Sequence, residues 1–205
     1  DINVEDDDLI PVEESIISLT NNGYVKRLPI DTYRIQNRGG RGVKGMWLND
    51  DDVVDQNITM STHDHLLIFT NKGKVYRIKG YQIPEASRNA KGIPVINIIK
   101  IEKDEKVKAL VSVNRQQEIS GYLFFVTKNG LVKRVQAKEF ESIRQNGKIA
   151  ITLKENDELV GVKLTNGENQ IIIGAGNGRA VRFEEKCVRA SGRTAAGVRG
   201  MNVDG

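Results

Sequence analysis

The sequence predicts an all-β protein built as an array of propeller-like blades, and two recurring features predict it. A polar turn ending in glycine, followed by a strand with basic residues, occurs four times in the 205 residues. The four copies are residues 21–27, 71–77, 128–134 and 176–182. A second glycine, followed within a few residues by apolar side chains, recurs in the same order at Gly42, Gly92, Gly147 and Gly197. Repeats with a period of about 50 residues are typical of arrays whose units pack against their neighbours.

Each unit begins with a predicted β-hairpin. Short β-rich runs lie before the turns, at 16–20, 66–70, 122–127 and 170–173. Asn-Gly at 22–23, 129–130 and 177–178 is a strong hairpin signal, because both residues can adopt positive φ. No segment has a sustained helical period, and only 140–144 and 186–190 are expected to form a single helical turn.

The third element of each unit is a further predicted strand. It covers residues 53–60, 107–113 and 159–164, and the fourth unit lacks it because the sequence ends at Gly205. We therefore expect blades of about four strands each, three of them complete and most of a fourth. Their units span about 15–64, 65–120, 121–169 and 170–205, after an acidic leader at 1–14 that could form the first strand.

Composition narrows the class of protein. No stretch of 18 apolar residues and no signal peptide is present, so we expect a soluble protein without a membrane partner. The single Cys187 cannot form an internal disulfide. We expect it to be a buried structural thiol in a reducing cytoplasm.

Charge is distributed unevenly along the chain. The first fourteen residues carry seven acidic residues and no base, which leaves 31 basic and 20 acidic residues, a net of +11, over 15–205. A basic body is typical of a protein with a polyanionic partner, although a basic solvated surface is an equal alternative on charge alone.

A loop in the first unit favours the polyanion. Residues 38–45 contain four glycines and three bases, which lets the backbone N–H groups and the guanidinium groups approach phosphate oxygens closely. The equivalent loops at 88–92, 144–148 and 193–199 keep one or two bases each. Bases repeated around an array indicate a long polyanion that tracks across it.

Residues 36–42 resemble the glycine-rich box Gln-Arg-Arg-Gly-Gly-Lys-Gly of the C-terminal domain of DNA gyrase A. Further segments resemble that family in the same order, at 8–11, 22–26, 62–65, 81–86, 157–162 and 197–201. Asn37 departs from the box, which leaves Arg38, Arg41 and Lys44 to supply its charge. The related domain of topoisomerase IV has degenerate boxes, so the nearly intact box favours gyrase.

The resemblance implies a β-pinwheel, a ring of propeller-like blades with exchanged strands, around whose basic outer rim duplex DNA wraps. It implies a bacterial cytoplasmic, nucleoid-associated protein that works with the remainder of DNA gyrase A and with DNA gyrase B. ATP and Mg²⁺ act elsewhere in such an enzyme, so no cofactor, metal or catalytic residue is expected in this chain. The residues expected to bind DNA are Gln36, Arg38, Gly39, Gly40, Arg41, Gly42, Lys44, Arg88, Lys91, Arg144, Lys148, Arg193 and Arg199.

Other functions have weaker support in the sequence. The corresponding C-terminal domain of topoisomerase IV and a protein-interaction scaffold remain alternatives, but a scaffold would present more than 5% aromatic residues. A metal at His63-Asp64-His65 is disfavoured, because an isolated pair of histidines is usually structural. The glycines at 174–178 are interpreted as a hairpin turn, since a phosphate-binding loop must open a helix.

The repeated arginine four residues after each turn glycine needs a separate interpretation. These residues are Arg27, Arg77, Arg134 and Arg182. Strand alternation places each on the face opposite to the preceding residue, which is Lys26 in the first unit and Lys133 in the third. We favour a shared structural ion pair over four DNA contacts.

Overall fold

The computed structural model describes residues 9–30, 54–143, 146–174 and 178–200. The strands are β1 (Glu14–Thr20), β2 (Tyr24–Pro29), β3 (Val54–Ser61), β4 (His65–Thr70), β5 (Lys74–Lys79), β6 (Ile93–Pro94), β7 (Val107–Val113), β8 (Tyr122–Thr127), β9 (Leu131–Gln136), β10 (Lys148–Ile149), β11 (Leu159–Thr165), β12 (Gln170–Gly174), β13 (Ala180–Glu184) and β14 (Val198–Arg199). An α-helix, α1 (Arg115–Ser120), is described over its whole length, together with 3-10 turns at Gly80–Gln82, Val95–Asn97, Ala137–Phe140 and Glu185–Cys187.

The strands form successive antiparallel sheets, which confirms the all-β prediction. Their orders are β3-β1-β2-β6, β10-β5-β4-β7, β11-β8-β9-β14 and, within the described part of the last unit, β12-β13. The predicted hairpins are β1-β2, β4-β5, β8-β9 and β12-β13. The predicted third strands are β3, β7 and β11, and each pairs with the first strand of its own hairpin.

The fourth strand of each complete sheet comes from the following unit. Val25 of β2 pairs with Ile93 of β6, and Val75 of β5 pairs with Lys148 of β10. Val132 of β9 likewise pairs with Val198 of β14. These pairings are the strand exchange that the resemblance implied.

The apolar core lies between the sheets. Leu66 and Ile68 of β4 belong to the cluster shared with the first sheet. Leu67 and Phe69 belong to the cluster shared with the third sheet, where Phe69 lies edge-on to Phe125 at 5.4 Å between ring centroids. Because successive side chains of a strand point to opposite faces, a strand buried on both faces is a continuous apolar run.

The hairpin turns differ from the predicted form. The N–H of Gly23 donates to the carbonyl of Thr20 at 3.0 Å, and Gly23 has φ +84°. Asn22 and Asn129 do not adopt positive φ; within the described residues Asn156 is the only non-glycine that does. These two hairpins therefore form where Asn-Gly predicted them, although only the glycine of each pair uses the positive φ that both residues can adopt. A turn closed by a single left-handed glycine needs the special backbone at one position only.

Two further predictions are corrected. The helix α1 was not predicted, and it is short enough to escape a periodicity test; Asn114 and Gln117 form a capping box at its start. Cys187 is exposed, so its predicted burial is wrong. The 3-10 turn that ends at Cys187 directs Glu185 inward instead, and Val188 follows as the next buried residue. No helix in the described ranges is long and apolar enough to span a membrane.

The end of the acidic leader contacts the first sheet. The N–H of Glu13 donates to Oγ1 of Thr62 at 3.1 Å, and that hydroxyl donates to the carbonyl of Pro11 at 2.8 Å. The Nε2 atom of His63 lies 2.9 Å from the carbonyl oxygen of Ile10. His63 therefore has a structural contact, as the sequence favoured.

Gly92 is expected to tolerate no side chain. It has φ +87°, and an added Cβ would lie 2.4 Å from the carbonyl oxygen of Val25. Gly92→Ala should therefore lower the free energy of unfolding by about 3 kcal/mol, combining left-handed strain with an overpacked contact. Gly130→Ala is the matched control, because Gly130 has φ +84° but open space around it. Urea denaturation of both variants checks this, and equal losses would show that the contact with Val25 contributes nothing.

Candidate nucleic-acid interface

The short exchanged strands lie at one edge of successive sheets. The opposite edges carry β3, β7 and β11, which contact one another from sheet to sheet. The exchanged strands therefore face away from that contact. We call β6, β10 and β14, with the preceding loops at 87–92, 146–147 and 192–197, the exchanged edge.

Five of the predicted DNA-binding residues lie on the exchanged edge. They are Arg88 and Lys91 in the loop before β6, Lys148 on β10, Arg193 in the loop before β14, and Arg199 on β14. The remaining predicted residues, Gln36, Arg38, Gly39, Gly40, Arg41, Gly42, Lys44 and Arg144, lie outside the described residues. The structure thus places bases from three units at corresponding edges of three sheets.

The five bases differ in how they are held. Lys148 and Arg199 are exposed. The Nζ of Lys91 lies 3.9 Å from the centroid of the Tyr24 ring, a cation–π contact with the preceding unit. A guanidinium N–H of Arg193 donates to the carbonyl of Ile149, so the loop of the fourth unit is joined to the exchanged segment of the third.

Two buried lysines lie beneath the loops of the exchanged edge. Lys26 of β2 has a relative exposure of 0% and Lys133 of β9 of 1%. The Nζ of Lys26 donates to the carbonyls of Ser87, Arg88 and Ala90 at 3.2, 2.6 and 3.0 Å. Their burial was not predicted from the sequence, because a lysine on a strand is usually solvated.

Lys133 makes the corresponding contacts two units further on. Its Nζ donates to the carbonyls of Ala150, Arg193 and Ala195 at 2.7, 2.5 and 2.8 Å. The hydroxyl of Thr152 also donates to the carbonyl of Thr194 at 2.6 Å. The loop before β14 is therefore connected by polar contacts to the segment that directly follows β10.

Burial changes the acidity of both lysines. Desolvation, together with the nearby charge of Arg88, lowers the pKa of Lys26 to about 8. Desolvation also lowers the pKa of Lys133 to about 8; Glu139 opposes this shift and Arg193 adds to it. Both side chains are therefore mainly ammonium ions at pH 7.

These pKa values predict the direction of a pH effect on stability. The folded pKa of about 8 lies below the ordinary 10.5, so the unfolded chain binds the two protons more tightly. The lysines' contribution to the free energy of unfolding should be constant below about pH 7 and should rise between about pH 8 and 10.5. Urea denaturation from pH 7 to 9.5 checks this by comparing the wild type with the double variant Lys26→Met/Lys133→Met. A difference that does not change with pH would contradict it. Burial raises the pKa of Tyr76 above its ordinary 10.0, so Tyr76 does not titrate in that range.

The second unit has Tyr76 in the position of the buried lysines. Its hydroxyl lies 2.9 Å from Oε1 of Glu105, to which it donates, and Thr70 donates to the same carboxylate. Its ring supports the exchanged edge directly, because an added Cβ on Gly147 would lie 2.7 Å from the ring. The fourth unit has Val181 in this position.

The repeated arginines have the structural role that the sequence favoured. The Nε of Arg27 donates to the carbonyl of Ile83 at 2.9 Å, and the Nε of Arg134 donates to that of Val188 at 2.9 Å. Arg77 donates to the carbonyl of Phe140 at 3.0 Å. Their acidic partners are Glu13 at 3.5 Å from Arg27, Glu185 at 3.6 Å from Arg134, and Glu118 beside Arg77. Each of these three arginines thus joins its blade to the next unit, while Arg182 donates to Gln170 within its own hairpin.

The fold and its edge define a strand-exchanged β-pinwheel with bases at corresponding positions of its blades. The family model described as "DNA gyrase C-terminal domain, beta-propeller" matches residues 14–55, 64–114, 121–166 and 169–205. The chain belongs to this family of DNA gyrase C-terminal domains.

Relatives by sequence are DNA gyrase A proteins. The chain is 52% identical over 200 residues to DNA gyrase A of Staphylococcus epidermidis, and 51% identical over 201 residues to that of Staphylococcus aureus. It is covered to 98% in both comparisons and spans only 22% and 23% of the length of these relatives.

Solved structures resemble the fold closely. The C-terminal domain of DNA topoisomerase IV superposes with a TM-score of 0.78 and 34% identity, covering 95% of this chain and 59% of that one. A DNA gyrase A C-terminal domain superposes with a TM-score of 0.70 and 25% identity, covering 92% and 60%. The predicted β-pinwheel is thereby confirmed.

Proposed function

We propose that this domain binds duplex DNA without sequence preference and wraps it along the exchanged edge. The observation that carries the proposal is the placement of Lys91, Lys148 and Arg199 on three successive sheets at the same edge. A cluster on one loop would suit a small anion, whereas bases distributed from blade to blade suit a phosphate backbone that passes each blade in turn.

Wrapping requires contacts spread along an arc. Bending 20–30 base pairs of DNA by 40–90° costs about 1–6 kcal/mol, which phosphate contacts must offset. The blades are joined by the inter-unit contacts of Arg27, Arg77 and Arg134. Because the neighbouring blades are held together, their bases present a fixed curved path and no blade has to be ordered when DNA binds.

The whole enzyme would use this wrap. We propose that it is DNA gyrase, that the chain acts with the remainder of DNA gyrase A and with DNA gyrase B in the bacterial cytoplasm, and that the wrap presents a DNA segment to the cleavage core. ATP-driven strand passage would then introduce negative supercoils. The chain itself supplies binding, with ATP, Mg²⁺ and the catalytic groups elsewhere in the enzyme.

The box residues Arg38, Arg41 and Lys44 are proposed to extend the same path. Relatives at about half identity favour gyrase over topoisomerase IV.

The experiment that tests the function is a salt series with duplex DNA of random sequence. If about six phosphates are neutralised, log K should fall with log salt at a slope of about −5. Fluorescence anisotropy at 50–300 mM KCl measures the slope, and religation of nicked plasmid with bound protein measures the wrap. A flat salt dependence, or a strong preference for one oligonucleotide, would refute the proposal.

A further inference from the structure

The two buried lysines hold the same turn in two different units. The N–H of Ala90 donates to the carbonyl of Ser87 at 3.1 Å, and the N–H of Ala195 donates to that of Gly192 at 3.1 Å. These turns carry the bases Arg88 and Arg193. In both turns the lysine binds the carbonyl of the arginine itself and the carbonyl two residues later.

The geometry matches the donor capacity of an ammonium group. Lys26 and Lys133 each have three N–H donors and each meets three backbone carbonyls. Three acceptors around one donor centre fix the backbone of the turn in position and direction. No other type of side chain provides three donors from one point at the end of a long unbranched stem.

Stability does not explain this arrangement. Burying an ammonium group costs desolvation free energy, and the contact places the charge of each lysine close to that of the arginine on the loop it binds. In some proteins a buried polar group selects one conformation of its surroundings, even where an apolar residue would stabilise the fold as well. The conformation selected here is that of the loops on the exchanged edge.

We infer that Lys26 and Lys133 are positioning residues for DNA binding, which fix the base-bearing loops of the following blade without contacting DNA. This inference rests on the proposed function. The lysines hold the backbone at Arg88 and Arg193 in the orientation that presents both loops at the edge. The first and third blades thereby organise the binding loops of the blades that follow them, and the exchange of strands makes this possible.

The test compares Lys26→Met and Lys133→Met in the 205-residue chain with the wild type. Each variant should bind random duplex DNA about tenfold more weakly. Without the lysine, DNA binding has to fix the loop backbone itself, and the free energy of fixing about one residue corresponds to about a tenfold loss of affinity. The slope of log K against log salt should stay unchanged, because the phosphate-contacting bases remain. Amide hydrogen exchange should accelerate at Ala90 in the first variant and at Ala195 in the second.

Tyr76→Phe is the matched control. It removes a buried polar group at the corresponding strand position, but that hydroxyl binds Glu105 and the carbonyl of Lys100 and no loop carbonyl of the exchanged edge among the residues described. Phenylalanine keeps the ring beside Gly147, so DNA affinity and the exchange at Ala90 and Ala195 should stay as in the wild type. If a methionine variant loses its circular dichroism signal, Lys26→Tyr, which copies the second unit, replaces it.

The outcomes separate the inference from the proposed function. Unchanged affinity and unchanged loop exchange in both lysine variants would overturn the inference while wild-type DNA binding stands. A salt slope reduced by about one would show a direct phosphate contact and would also overturn it. If the wild type fails to bind random duplex DNA at low salt, the proposed function itself is wrong.

Discussion

Replacing Arg77 with methionine is expected to lower the free energy of unfolding by about 3–5 kcal/mol, the cost of leaving one partner of a buried ion pair uncompensated. Arg77 and Glu118 have relative exposures of 9% and 7%. Removing the guanidinium leaves the Glu118 carboxylate buried without its charge partner, and the carbonyl of Phe140 loses a donor. Urea denaturation at pH 7 measures the loss.

Arg182→Met is the matched control. Arg182 occupies the same position in the fourth unit, but it is exposed and donates only to Gln170 within its hairpin among the contacts described. A surface change of this kind should alter the free energy of unfolding by less than about 0.5 kcal/mol. Equal losses in the free energy of unfolding for the two variants would show that any arginine at this strand position contributes the same, and that the contacts of Arg77 with the next blade add nothing.

The repeat made most of the fold predictable. Hairpins and third strands are local, so a turn glycine and short apolar runs were enough to locate them, as with Gly23 before β2. The exchanged strands were not predictable from pattern. β6, β10 and β14 have two residues each, too few for any periodicity, and their pairing depends on contacts between units that only the assembled array provides.

The candidate site was predictable for the exposed bases and not for the buried ones. Lys148 and Arg199 follow landmark glycines, which marks their loops in the sequence. A lysine on a strand is usually solvated, but Lys26 and Lys133 are buried, because backbone carbonyls that lie mostly in the following unit accept their hydrogen bonds. The sequence did carry a signal for this burial. Both lysines lie three residues after a turn glycine, and the other two units have Tyr76 and Val181 at that position, which are not charged.

Cys187 is the opposite case, a residue that was predicted to be buried and is exposed. Cys187 was expected inside because free cysteine is usually buried. The residue that the same 3-10 turn does bury is Glu185, which accepts hydrogen bonds from Thr165 and from the backbone of Asn169 and lies 3.6 Å from Arg134. The buried side of this turn thus carries an inter-blade ion pair, and composition alone does not reveal that pair.

The largest functional effect is expected from removing charge at the exchanged edge. The triple variant Lys91→Gln/Lys148→Gln/Arg199→Gln should weaken binding of random duplex DNA by about 100- to 1,000-fold near 0.1 M salt, because each phosphate contact releases about one counterion. The slope of log K against log salt should become less negative by about 3, one for each lost contact. Anisotropy across the salt series measures both quantities.

A second triple variant removes the same charge elsewhere. Lys106 and Lys163 are exposed and Lys108 is half-buried; they lie directly before β7, on β11 and on β7, and so belong to the opposite edges of the sheets. Their replacement by glutamine lowers the net charge by the same three units but should weaken binding by less than about tenfold, since long-range attraction between exposed charges is screened over about 10 Å at this salt. Equal losses in the two variants would mean that net charge alone attracts DNA. Unequal losses in the expected direction would mean that the blades guide the duplex along one edge, which a wrap with a defined path requires.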